Sequence, residues 1–343
     1  MVGVSSAELT EDEAELYDRQ IRLWGLEAQK RLRNARILVI GCQGFGAEIC
    51  KNIILAGVKS VVILDSGSLT EEDGCSQFLA PRDQIGKNRA VASLKRAQQL
   101  NSMVTVSADT DNVDDKPDSY FAEFDIVCAT ECTTQQLIRI NQICREKLVK
   151  FFCGDVFGLF GFMFADLQIH EFVEETKCYP VGESVKGGGE PANKRPKLEP
   201  VTVSTKNTLT YVPLQDALQV DWNCEEYIKR LPKIDSSYFL MKVLQRFRDL
   251  HGCDPNPIER ERDLERLEKL KEDELKKLGV PLDKLPSSMF RSVFAEVSPV
   301  CAIMGGVVAQ EIIRAVSQNE RTHNNMFFFN PEKMVGFVEC IGN

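Results

Sequence analysis

Apolar positions along the chain follow two periods. Between Glu11 and Arg33, Tyr17, Ile21, Trp24 and Ala28 recur at spacings of four, three and four while Arg19, Arg22 and Arg33 take other faces, which predicts one helix with Thr10 as its N-cap. The wholly apolar run Ile37 to Ile40, a glycine-rich turn, helical spacing from Ala47 to Ala56 and a second apolar run, Val61 to Leu64, then predict a β-α-β unit. The alternation continues with a helix over 88–100, strands over 104–106 and 126–128, a helix over 134–147 and a strand over 150–153. Such alternation implies a parallel sheet covered on both faces, a doubly wound α/β fold.

The pattern changes after Phe172. Gly187, Gly188, Gly189 and three prolines between Pro191 and Pro200 predict a flexible, disordered linker over 173–207, dividing a first half, 1–172, from a helix-rich second half, 208–343. In that second half helices are expected over 237–250, 259–278 and 299–317. Leu264, Leu267, Leu270, Leu275 and Leu278 form a stripe expected to pack within its own domain. Phe327 to Phe329 and Val335 to Val338 read as closing strands. The linker's Lys194-Arg195-Pro196-Lys197 run reads either as solvated charge or as a nuclear import signal.

Composition narrows the function. The 343 residues carry 42 Lys and Arg against 51 Asp and Glu, a net charge of −9, so nucleic acid is not expected as a partner. No apolar run was found that approaches the roughly 20 residues of a membrane span, and no signal peptide opens the chain, so a soluble intracellular protein without a membrane partner is expected. Twelve cysteines, several in apolar segments, suggest a reducing compartment. With no C-x-x-C pair and three histidines far apart, no metal site is expected.

The turn Gly41-Cys42-Gln43-Gly44-Phe45-Gly46 joins a strand to a helix, where backbone N–H groups and the helix end can hold phosphate. Asp65 follows Gly46 by 19 residues, close to the ribose-binding offset of a dinucleotide site. The spacing is G-x-x-G-x-G, however, and Gln43 stands where a glycine would let a pyrophosphate approach, so the glycines read first as turn-formers.

Further residues carry a resemblance. Tyr17-Asp18-Arg19-Gln20-Ile21-Arg22-Leu23-Trp24-Gly25, the glycine loop, Gln77-Phe78-Leu79, Ile85-Gly86 and the stretch 298–310 resemble, across nearly the whole chain, the adenylation fold of enzymes that activate ubiquitin-like proteins. Gly154 to Gly158, His170 to Glu175 and Asn324-Asn325 are similar, more narrowly, to the accessory, Aos-type subunits of SUMO-activating enzymes. The resemblance implies a Rossmann-like adenylation domain in an obligate heterodimer, with SUMO handled through the complex. ATP-binding members of the family usually read G-x-G-G-x-G, D-x-D, N-x-x-R-Q-F-L, I-G-x-x-K and a late aspartate. At the corresponding positions this chain has Gln43, Gly67, Asp73, Ser76, Arg89 and Cys132. Lost are a ribose acceptor, a phosphate donor and a metal carboxylate. The degenerate loop of Gly41, Gln43, Gly44, Gly46 and Asp65 is therefore expected to bind no cofactor, the chain alone to be inactive, and ATP and Mg to be used by the partner.

What the family leaves to this chain is Arg19, expected to reach the partner's nucleotide in trans. From the residues alone, Arg19 and Arg22 would be a solvated helix face. Cys178 reads as an idle linker thiol rather than a thioester nucleophile. The rival readings are an accessory subunit for NEDD8, a homodimeric adenylating protein of the sulfur-carrier type, and an NAD-type oxidoreductase using Asp65. The nucleus, possibly with the cytoplasm, is the expected location.

Overall fold

The structure, a computed structural model, describes residues 9–178 and 201–342. Thr10 opens the first helix with a capping box: its hydroxyl accepts the Glu13 N–H at 3.3 Å, and the Glu13 carboxylate accepts the Thr10 N–H at 2.9 Å. The single helix expected to Arg33 is three: α1 (Glu11–Leu16), α2 (Asp18–Trp24) and α3 (Leu26–Asn34). Tyr17 leaves helical geometry, with its ring against Gly57 and its hydroxyl accepting the Asn101 amide at 2.8 Å. Gly25 turns the chain again at φ +87°, a conformation that favours glycine.

The expected alternation follows: β1 (Arg36–Ile40), α4 (Gly44–Leu55), β2 (Ser60–Leu64), α5 (Arg89–Leu100), β3 (Thr105–Asp109), α6 (Asp118–Phe121), β4 (Ile126–Ala129), α7 (Thr134–Glu146) and β5 (Lys150–Phe157). These five strands pair in parallel in the order β3-β2-β1-β4-β5. The sheet is not wholly parallel, because β6 (Phe160–Asp166) turns back antiparallel along β5 after Gly158 and Leu159.

Both ends of the expected linker are strand rather than coil. β7 (Ile169–Cys178) and β8 (Val201–Thr210) form a two-stranded antiparallel ribbon, from Ile169 opposite Thr210 to Cys178 opposite Val201. Valines and threonines along both segments suit strands better than coil. The rest of the expected linker, with Lys194–Lys197, lies outside the described residues.

After the short helices α8 (Leu214–Leu218) and α9 (Glu225–Arg230) come α10 (Ser236–His251), α11 (Arg260–Leu278) and α12 (Ser298–Ser317). β9 (Met326–Asn330) pairs with β6 and β10 (Val335–Glu339) with β9, so the closing strands complete the first half's sheet. Leu267 and Leu275 of α11 are fully buried among α10 side chains. Ser298–Ser317 departs from the expectation that no membrane-length apolar segment exists: its mean hydropathy of 1.5 and 20 residues would suffice. Most of it is buried, with Gly305 directly against Glu48 of α4.

Both faces of the sheet are covered. Ile37 and Val39 of β1 point into a core with α4 and α12, while Leu38 and Ile40 point into one with α7 and α10. The carboxyl ends of β1, β2, β4 and β5 thus gather at one edge, where the loops carrying Gly41, Asp65 and Glu131 meet Asp155 of β5.

Candidate functional site

The glycine loop turns at Gly41, whose φ is +83°, and closes so tightly that a Cβ on Gly46 would collide with the Gly41 carbonyl. Gln43 is the N-cap of α4, and its side chain lines a cleft of about 460 Å³ together with Asp73, Ser76, Glu131, Arg248, Asp254 and Glu296. The N–H groups at this helix start are the natural phosphate donors. All three are taken by the chain's own acids. Gln43 N–H donates to Glu131 Oε1 at 2.8 Å, and Gly44 and Phe45 N–H donate to Glu296 Oε2 at 2.6 and 3.3 Å.

Asp65 is likewise engaged, accepting the Cys42 and Gly67 N–H groups at 2.9 and 2.7 Å and the Arg89 guanidinium at 2.9 Å. Arg89, where the family carries lysine, is 7% exposed and also pairs with Asp73 at 3.1 Å and Glu131 at 3.4 Å. Burial alone would lower its pKa, yet Glu131, Asp65 and Asp73 together raise it. A Cβ on Gly67 would lie 2.9 Å from Arg89 Nη1, so a side chain there would require Arg89 to shift. Ser76 donates its hydroxyl to Glu296 at 3.2 Å. Cys132 is buried, its thiol turned to the Thr130 carbonyl at 3.3 Å, and burial pushes its pKa up.

Three members of this constellation escaped the sequence reading. Glu131 sits one place before the family's aspartate position, at φ +61°. Glu296 precedes α12, with nothing in its local pattern to connect it with residue 44. Arg248 comes from α10 and makes a buried pair with Asp155 and a partly exposed one with Asp254, both at 2.7 Å, while Asp155 accepts the Glu131 N–H at 2.7 Å. Burial raises the pKa of Glu131 and takes that of Glu296 up to about 7. Among the described residues no group of three or more His, Cys, Asp or Glu is arranged to hold a metal ion. A nucleoside triphosphate does not fit this cradle: its donors are occupied, and Asp73, Glu131 and Glu296 would face the phosphates.

Arg19 lies elsewhere. α2 rests on the C-terminal end of α4, where the Gln20 amide donates to the Leu55 carbonyl at 3.0 Å. The glycine loop is at the other end of this 12-residue helix, about 17 Å away at 1.5 Å per residue. Arg22 pairs with Asp18 at 2.9 Å, whereas exposed Arg19 makes no ion pair among the described residues. Leu23, 78% exposed, and Leu55 are apolar neighbours on these helices, and Ala302, Ile303 and Gly306 form an open face of α12.

The ThiF family model matches residues 17–340. A protein of Xenopus laevis named SUMO-activating enzyme subunit 1 is 47% identical over 348 residues, covering 100% of both chains. A Homo sapiens protein of the same name is 48% identical over 336 residues, covering 97% of this chain and 96% of its own. Among solved structures, E. coli MccB with succinimide superposes with a TM-score of 0.53 at 12% identity, covering 95% of this chain and 71% of its own. PaaA superposes with a TM-score of 0.56 at 12% identity, covering 99% and 77%. These two share the fold.

Proposed function

Because the chain belongs to the ThiF family and matches relatives named SUMO-activating enzyme subunit 1 over its full length, we propose that it is the accessory subunit of a heterodimeric SUMO-activating enzyme. It pairs with a catalytic subunit that binds ATP and Mg, and it carries out no adenylation alone. The observation that carries this reading is the contrast between α4's two ends: the chain's own cradle is filled with carboxylates, while exposed Arg19, near the far end, makes no ion pair among the described residues.

In acyl adenylation a carboxylate oxygen forms a bond to the α-phosphorus as the bond to pyrophosphate breaks, so negative charge must be offset as it spreads over the phosphates. A guanidinium is always protonated and forks onto phosphate oxygens. Arg19 supplies this to the partner's nucleotide, and its own loop lies too far away to compete. The open face of α12 suits the partner's surface: an added Cβ on Gly306 would meet nothing within 4 Å in this chain, so packing inside the chain does not require glycine there. Against an NAD-type reading, Asp65 has its acceptors occupied. We assign the complex to the nucleus.

The test is SUMO-dependent ATP–pyrophosphate exchange. The isolated chain should show none, the heterodimer should, and Arg19→Ala should slow the heterodimer by at least about tenfold, a modest share of what trans arginines give in phosphoryl transfer. An unchanged rate would remove Arg19 from the mechanism. Exchange by the isolated chain would end the accessory reading.

A further inference from the structure

We propose that Glu131 and Glu296 are a built-in substitute for phosphate, an autoinhibitory contact that shuts the α4 cradle of this chain against nucleotides. The inference rests on the accessory reading and deepens it: the idle half of the heterodimer is actively closed, not merely stripped of its ligands. Were loss of residues the whole story, the donors at the helix start would face the cleft. Instead Gln43, Gly44 and Phe45 N–H all meet carboxylate oxygens, from two loops far apart in the chain.

The glycines argue in the same direction. A Cβ on Gly41 would collide with Thr130 Oγ1 and lie 2.9 Å from Glu131 Oε1, and one on Gly44 would collide with Ser76 and lie 2.8 Å from Glu296 Oε2. The clearance that these glycines provide is used by the chain's own side chains. Both carboxylates also depend on strained backbone, since Glu131 has φ +61° and Ala295, next to Glu296, has φ +59°, a region that favours glycine. Arg89, nine-tenths buried beside Gly41 and Glu131, pairs with Asp65, Asp73 and Glu131, so one of its three carboxylate partners is an acid that fills the cradle. With both glutamates gone, the three N–H groups would lose their acceptors and Arg89 would keep two carboxylates in place of three, leaving the helix start open to an anion.

The experiment is calorimetric titration of the full chain with magnesium-free inorganic pyrophosphate. Wild type should bind weakly or not at all. Glu131→Gly with Glu296→Ala, which removes both acids and relaxes residue 131, should tighten binding at least tenfold. Glu265→Ala with Glu272→Ala, which removes the same charge from the exposed face of α11, should match wild type. If circular dichroism finds the first double variant unfolded, the single variants Glu131→Gly and Glu296→Ala replace it, and each should tighten binding in the same direction. A folded variant with no gain, or wild type binding as tightly as the variant, would overturn the proposal. The titration involves this chain alone, so its failure leaves the Arg19 assay standing, and the failure of that assay leaves the titration standing.

Discussion

Replacing Glu296 by glutamine should alter the pH dependence of folding. Its carboxyl accepts the Gly44 and Phe45 N–H groups and the Ser76 hydroxyl, and it is faced by Cys301, Glu131 and Asp155. Burial outweighs the three hydrogen bonds and takes its pKa from 4.5 to about 7. A carboxyl raised in this way holds a proton in the folded chain that the unfolded chain has already released. Its contribution to stability is therefore full below about pH 4.5 and is lost as pH rises through about 7. At about 1.4 kcal/mol per tenfold change in proton affinity, the displacement is worth at most about 3 kcal/mol. Glutamine keeps an acceptor oxygen for the N–H groups and cannot ionise. Urea unfolding at steps from about pH 5 to about pH 8 should show wild type losing about 1–3 kcal/mol relative to Glu296→Gln, the carboxyls that do not face residue 296 dropping out of the difference. Parallel curves would refute the placement of this carboxyl.

Other outcomes follow from packing. Gly305→Ala sets a methyl 2.5 Å from Glu48 Cβ and should cost about 1–3 kcal/mol in thermal or urea unfolding. Gly306→Ala meets nothing within 4 Å and should stabilise the isolated chain by about 0.5–1 kcal/mol. Gly306→Leu should leave the chain folded yet abolish co-purification with the catalytic subunit; retained pairing would take α12 out of the interface. Arg248→Met strands buried Asp155 without its cation and should cost about 3–5 kcal/mol, measured by denaturant midpoint.

Much of the sheet was legible because its strands are short apolar runs punctuated by helical spacing. The N-terminal helix was not, since Tyr17 obeys the helical period yet leaves the helix for contacts with Gly57 and Asn101, partners far along the chain. β6 escaped notice because only Gly158 and Leu159 part it from β5, so no helical spacing marks Phe160 to Asp166 as a new strand. At the site, Gly41, Gln43, Gly44, Gly46 and Asp65 come together where the strand–turn–helix pattern put them. The residues that fill the cradle were invisible: Glu131 and Glu296 look like ordinary surface acids, and only the fold brings them to one helix start.

β1 offers a last consequence. With Ile37 and Val39 committed to one side and Leu38 and Ile40 to the other, shifting this strand by a single place would exchange two interiors at once. Its middle is frozen by that double obligation. Residues just past the strand tips carry no such duty, so that rim can change letter by letter while the scaffold beneath it stays intact.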